Sequence, residues 1–262
     1  MITVLFVGDI VSEPGVRIFE KFLPQFQRKH DVDLVIVNGE NIHEGKSITP
    51  GDVNTLIEMG VDVITSGNHI WDRFQVREVM KKKPMVLRPL NYPEGVPGKG
   101  TLRIVTKSQK EVIVMNLQGR TFMPTIDCPF RAIERELKTV SSTNCPIIVD
   151  FHAEATAEKQ AMAWFLDGEV SALVCTHTHI QTADERVFPR GTAFISDVGM
   201  TGAHDSVIGM QKEIAIKRFL YHTPFRYESA TDDLHVSAVL VCIDEDTLKA
   251  KSIERIFWPD WQ

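Results

Sequence analysis

Eight side chains able to hold a metal ion or move a proton fall at the ends of short apolar runs: Asp9, Glu40, Asn41, Asn68, His69, His152, His177 and His179. Residues 61–72, Val-Asp-Val-Ile-Thr-Ser-Gly-Asn-His-Ile-Trp-Asp, show the pattern most plainly. The largely apolar residues 61–64 read as a buried strand that stops at Ser66-Gly67-Asn68-His69. Gly67 allows a sharp turn there, so Asn68 and His69 should sit at the carboxyl edge of a sheet, where α/β proteins open a crevice. The pattern recurs: Gly8-Asp9 follows 1–7, Asn38-Gly39-Glu40-Asn41 follows 34–37, Asp150-Phe151-His152 follows 146–149, and Thr176-His177-Thr178-His179 follows 170–175. This mixture of carboxylates, carboxamides and imidazoles is too rich for one structural zinc, which is a closed tetrahedron often built from cysteines. It suits two divalent ions bridged by a carboxylate and a water, roughly 3.5–4 Å apart, which is machinery for hydrolysing phosphate esters. His177 and His179 share a face if their strand continues, and in a loop each can reach a different ion.

The elements that must position these residues are legible in chain order. Strand 2–7, a helix opened by Pro14 with Val16, Phe19, Leu23 and Phe26 at helical spacing, and strand 34–37 make a first β-α-β unit. Thr49-Pro50-Gly51-Asp52 predicts an N-cap with proline at the first helical position, and that helix should stop at Gly60. A further helix is expected from Asp72 through Phe74, Val76, Val79 and Met80 to Lys81-Lys82-Lys83, whose charge complements the helix dipole before Pro84 closes it. Residues 85–100, rich in proline and glycine, predict an irregular segment, a small lid or cap on a single domain spanning 1–262. A hairpin over 101–106 and 111–117, helices over 129–140 and 154–166, a strand at 193–195, a short helix near 210–220 and a hairpin over 236–243 and 248–257 complete the order.

With 43% hydrophobic and 24% charged residues, the chain has the composition of a soluble globular domain. A net charge of −6 argues against long nucleic acid as a partner, because neutralising many phosphates needs a clustered excess of Lys and Arg. The amino terminus reads as a strand and not as a signal peptide, and no apolar run reaches the length of a bilayer, so no membrane partner is expected. Four isolated cysteines, Cys128, Cys145, Cys175 and Cys242, form no Cys-x-x-Cys pair and fit a reduced, cytoplasmic protein.

In order, Gly8-Asp9, Gly39-Glu40-Asn41, Gly67-Asn68-His69, His152 and Thr176-His177-Thr178-His179 resemble the calcineurin-like metallophosphoesterases, whose pattern is Gly-Asp, Gly-Asp-x-x-Asp, Gly-Asn-His, His and Gly-His-x-His. Asp150-Phe151-His152-Ala153-Glu154 and Ser196-Asp197-Val198-Gly199-Met200 resemble more narrowly a bacterial branch that hydrolyses 2′,3′-cyclic nucleotides and related phosphodiesters. The resemblance implies an α/β fold, a four-layer α/β/β/α sandwich of two mixed sheets. It also implies two divalent metal ions; oxygen and imidazole ligands without thiolate fit iron or manganese, with zinc as a further choice. One ion would rest on Asp9, Glu40, Asn41 and His179, the other on Glu40, Asn68, His152 and His177. A hydroxide shared by the two ions would attack phosphorus, and His69 would serve as general acid, oriented by Asp72.

The chain departs from the superfamily pattern at Val11, where many members carry a histidine, and at Glu40, where the bridge is commonly Asp. Asn41 could supply the missing ligand as a carbonyl oxygen. The expected partner is a small phosphodiester, with self-association left open. Alternatives are a phosphomonoesterase or nuclease on the same scaffold, or a metal-dependent regulatory protein with little turnover. His43, His204 and Arg120 could contact substrate or be solvated, and Trp71 and Tyr92 could stack a nucleobase or join the core.

Overall fold

In the computed structural model, which describes residues 1–260, the apolar runs become the strands of two mixed sheets. The first stretch contains β1 (Ile2–Val7), β2 (Asp9–Ile10), α1 (Ser12–Gln27), β3 (Leu34–Asn38), α2 (Pro50–Met59), β4 (Val63–Thr65) and α3 (Val76–Lys82). Next come β5 (Thr101–Val105), β6 (Glu111–Gln118), α4 (Pro129–Val140), β7 (Ile147–His152), α5 (Thr156–Leu166), β8 (Ala172–Thr176), β9 (Arg186–Val187) and β10 (Ala193–Ile195). The last are β11 (Met200–Ala203), α6 (Lys212–Tyr221), β12 (Leu234–Ile243) and β13 (Ala250–Trp258), giving six helices among the described residues.

One sheet runs β2-β11-β12-β1-β3-β4, with β13 also paired to β12, and the other runs β5-β6-β7-β8-β10-β9. β1, β3 and β4 are parallel, as are β6, β7, β8 and β10. Their carboxyl ends therefore gather at one edge of each sheet, where α/β folds place ligands. These strands are buried on both faces, which explains their continuous apolar runs. Successive residues point to opposite faces. Ile36 packs with Phe6, Val114, Ile148 and Val174 from both sheets. Its neighbour Val37 packs with Phe19, Phe22 and Leu23 of α1 and Leu56 of α2. Outside the second sheet, Met115, Val149 and Phe151 pack against Ile133 of α4 and Met162 of α5.

Local chemistry sets several boundaries. At α2 the Thr49 Oγ1 accepts from the Asp52 N–H, the Asp52 carboxylate accepts from the Thr49 N–H, and Gly60 ends the helix at φ +100°. The helix expected from Asp72 begins only at Val76; the preceding residues form turns, and Phe74 is 82% exposed. β7 runs through His152, two residues beyond Asp150 and on the same face. β8 stops at Thr176, after which His177 and His179 adopt φ values of +110° and +67° and leave the strand path. The β2–β11 pairing was not expected from the sequence, because only long-range hydrogen bonds define it: Val11 N–H donates to Thr201 O, and Asp9 N–H to Gly199 O. A Cβ on Gly8 would lie 2.0 Å from Gly199 O, so glycine is required for that approach. Residues 83–100 contain no helix, and backbone bonds from Leu87 to Ile64 and from Leu90 to Asn116 fasten them to both sheets. No helix among the described residues is long and apolar enough to cross a membrane.

Candidate active site

The eight residues singled out in the sequence come together where the strand ends of the two sheets meet. Asp9 enters from β2, Glu40 and Asn41 from the turn after β3, and Asn68 and His69 from the turn after β4. His152 ends β7, and His177 and His179 lie in the loop after β8. Asp9, Glu40 and His152 are fully buried. Their polar atoms cluster around two points joined by Glu40. At the first, His152 Nε2 lies 2.9 Å from Glu40 Oε1, 3.1 Å from Asn68 Oδ1 and 3.0 Å from His177 Nδ1. At the second, Asn41 Nδ2 lies 3.4 Å from Asp9 Oδ1, 3.4 Å from Glu40 Oε1 and 3.2 Å from His179 Nε2. A half-turn of the Asn41 carboxamide presents its oxygen to the same point.

Outward hydrogen bonds decide which face each imidazole turns inward. His152 Nδ1 lies 2.8 Å from Thr176 Oγ1, whose own proton goes to Asp150 Oδ1 at 2.8 Å. The hydroxyl therefore accepts from Nδ1–H and leaves the Nε2 lone pair facing the cluster in the neutral ring. His179 Nδ1 lies 3.1 Å from Ile208 O, and His177 Nε2 lies 3.0 Å from Glu154 Oε2. Both of those oxygens only accept, so each ring holds its proton outward and its lone pair inward. This is how metal-binding histidines are oriented. Asp150 is held further by Asn38 Nδ2 at 3.0 Å and Thr65 Oγ1 at 2.5 Å.

These donors fit a cation. One ring nitrogen has either a proton or a lone pair, so His152 Nε2 cannot satisfy three surrounding acceptors. Ligand-type atoms of Glu40, His152 and His177 all lie within 4.8 Å of one another. Without an ion, a proton on His152 takes the compensating role. Burial pushes the His152 pKa down, but the Glu40 carboxylate raises it further, to about 9. Burial likewise opposes charge on Glu40, and the His152 cation outweighs it, holding the carboxyl at about 2. His177 is driven down to about 3 by burial and by the charge on His152, and burial raises Asp9. Burial also lifts Asp150 to about 7.

His69 is placed differently. Its backbone N–H donates to Glu40 Oε2 at 2.9 Å, while its ring, 33% exposed, gives Nδ1–H to Asp72 Oδ2 at 3.0 Å. Lys46 Nζ holds the same Asp72 oxygen at 3.1 Å. A cleft of about 690 Å³ opens over Glu40, Asn41, His69, His177 and His179, and its far wall comes from residues 207–227.

Several supporting residues were not legible in the sequence. Lys159 of α5, 2% exposed, places Nζ 2.9 Å from Asp197 Oδ2. That carboxylate also accepts from Thr178 N–H at 2.9 Å and Thr178 Oγ1 at 2.8 Å, between the two histidines of the loop, and from Gly199 N–H at 2.9 Å. Glu154 and Thr176 lay within segments noted in the sequence, but only the structure shows what they touch. Of the undecided residues, His43 pairs with Asp52. The Arg120 N–H donates to Glu158. His204 lies beside Met200 O, His235 and Phe257. Trp71 and Tyr92 meet edge to face and line a different cavity, with Phe74.

The family described as YmdB-like protein matches residues 5–256. A Bacillus subtilis (strain 168) protein named 2′,3′-cyclic-nucleotide 2′-phosphodiesterase is 44% identical over 257 residues, which cover 98% of this chain and 97% of that protein. A solved structure described as a hypothetical protein from Thermus thermophilus superposes with a TM-score of 0.91 at 38% identity, covering 98% of this chain and 99% of the other. A second, described as a novel phosphatase of Mycoplasma pneumoniae, also reaches a TM-score of 0.91, at 33% identity with 98% and 92% covered.

Proposed function

Because the chain belongs to the YmdB-like protein family, we propose that its strand-end cleft hydrolyses small phosphodiesters, with 2′,3′-cyclic nucleotides as the substrate class. The observation that carries this reading is the orientation of His152, His177 and His179, each with one ring nitrogen bonded outward and the other turned inward, His152 and His177 toward Glu40 and His179 toward Asp9. In this reading Asp9, Glu40, Asn41 and His179 would hold one divalent ion, and Glu40, Asn68, His152 and His177 would hold the other. Such ions, when bound, draw charge from the phosphoryl oxygens and make hydroxide accessible near neutral pH. The protein's own proton donor is His69. Asp72 keeps its Nδ1–H fixed, Lys46 holds Asp72, and Nε2 gives its proton to the ribose oxygen that leaves phosphorus. The three separate apolar clusters support a four-layer α/β/β/α sandwich as the scaffold. The net charge of −6 favours small substrates over long nucleic acid.

The test is hydrolysis of bis-p-nitrophenyl phosphate by manganese-loaded protein beside His69→Ala prepared identically. The variant should keep its metal and lose about 10²–10⁴ in rate, the share that general acid catalysis supplies. Full metal content with no turnover in either protein would replace this reading with a metal-dependent regulatory one.

A further inference from the structure

The cleft extends well beyond the residues that would handle phosphorus, and its far wall is one stripe of α6. Ala215, Arg218 and Phe219 recur at i, i+3 and i+4 and all line the cavity, with His222, the residue that ends the helix in the left-handed conformation, so one face of the helix shares the cleft with His69, His177 and His179. The stripe has a distinct chemistry. Ala215 is small and buried, Phe219 is 75% exposed, and the Arg218 guanidinium, also in the lining, reaches Met210 Sδ at 4.0 Å. Ile208, 53% exposed, continues the apolar wall, and its carbonyl accepts the outward proton of His179. An exposed aromatic ring on the wall of a cleft has a hydration cost that a flat apolar ligand removes.

We propose that this stripe is the nucleoside subsite: the base of the substrate stacks on Phe219, flanked by Ile208 and the planar Arg218 guanidinium, while the phosphodiester reaches the histidines. The proposal rests on the phosphodiesterase reading for the phosphoryl end. Continuity is its main support, because one cavity of about 690 Å³ has both the imidazole floor and the aromatic wall in its lining. The alternative rings, Trp71 and Tyr92, belong to another cavity. The Tyr227 hydroxyl is hydrogen-bonded with Ser229 and Ser12, and the stripe carries no carboxamide or carboxylate, so the flat face of Phe219 is its main contact surface. Stacking of this kind tolerates every base, since each has a π face. All four nucleoside 2′,3′-cyclic phosphates should therefore be accepted with KM values within a few-fold.

The experiment compares 2′,3′-cyclic AMP with glycerol 1,2-cyclic phosphate, which has no base, using wild type, Phe219→Ala, Phe219→Trp and, as an off-stripe control, Leu220→Ala. Binding of adenosine 3′-monophosphate is titrated calorimetrically in parallel. Phe219→Ala should raise KM for the cyclic nucleotide about 10–100-fold, the scale of one lost base stack, leave kcat and the glycerol substrate unchanged, and weaken the monophosphate equally. Phe219→Trp should restore all three, and Leu220→Ala should match wild type. Equal effects on both substrates, or none on either, would overturn the subsite. If wild type hydrolyses neither substrate, the phosphodiesterase reading fails alone, and the monophosphate titration still decides whether Phe219 holds a base.

Discussion

Lys159→Met tests whether the buried Lys159–Asp197 pair braces the loop that carries His177 and His179. The substitution keeps an unbranched side chain but removes the cationic partner of a carboxylate that is 1% exposed, with the lysine itself 2% exposed. Asp197 retains neutral donors, the Thr178 N–H and hydroxyl and the Gly199 N–H, which do not neutralise its charge. Breaking a buried pair from one side costs about 3–5 kcal/mol, a large share of the roughly 5–15 kcal/mol that holds a protein folded. With a urea slope of about 3 kcal/mol per molar, the unfolding midpoint of the metal-free protein should fall by about 1–2 M. Circular dichroism during urea titration at pH 7 measures this. Lys159→Met with Asp197→Asn should recover part of the loss, because no buried charge is then stranded. Metal affinity should drop about 10–100-fold in the single variant, as it does when groups behind metal ligands are removed. A midpoint within about 0.3 M of wild type, or a double variant no better than the single, would refute the reasoning.

His177→Ala should lose bound metal before anything else, since it deletes an inward lone pair at the buried carboxylate; elemental analysis showing unchanged metal would remove His177 from the ligand set. Gly67→Ala puts a Cβ 2.1 Å from His152 Cδ2, so the ring must move, and metal content and rate should both collapse while far-ultraviolet dichroism is retained. In the metal-free protein the His152 pKa is raised from 6.5 to about 9, a contribution to stability that is complete below 6.5 and is lost as pH rises through about 9. Urea midpoints measured between pH 6.5 and 9.5 should fall accordingly, and His152→Gln should flatten that decline. Metal loading should release protons in the same range, because a ligating imidazole must be neutral.

The resemblance and the local patterns brought Asp9, Glu40, Asn41, Asn68, His69, His152, His177 and His179 to one group of strand ends from the sequence alone. Each follows a short apolar run, and parallel strands deliver such residues to a common edge. Caps and stops were legible for the same reason: Thr49 with Asp52, and Gly60, act through bonds to their own neighbours in the chain. The late start of α3 marks the limit of that logic. The periodicity of 74–80 is helical, but His69 and Asp72 are drawn into turns by contacts with Glu40 and Lys46. Phe74 is left in solvent as a result.

What the sequence determined by itself was the set of ligand-type residues and the order in which strands deliver them, because local propensity and alternation operate over a few residues. Only the tertiary structure decided which way each imidazole turns. Thr176, Ile208 and Glu154 hold the outward protons, and the partnership of Lys159 with Asp197 spans 38 positions. The same is true of α6, which only the fold brings into the lining of the cleft. Hydrogen bonds and apolar contacts between distant residues form only once the chain has folded, and they leave no periodicity in the sequence to read.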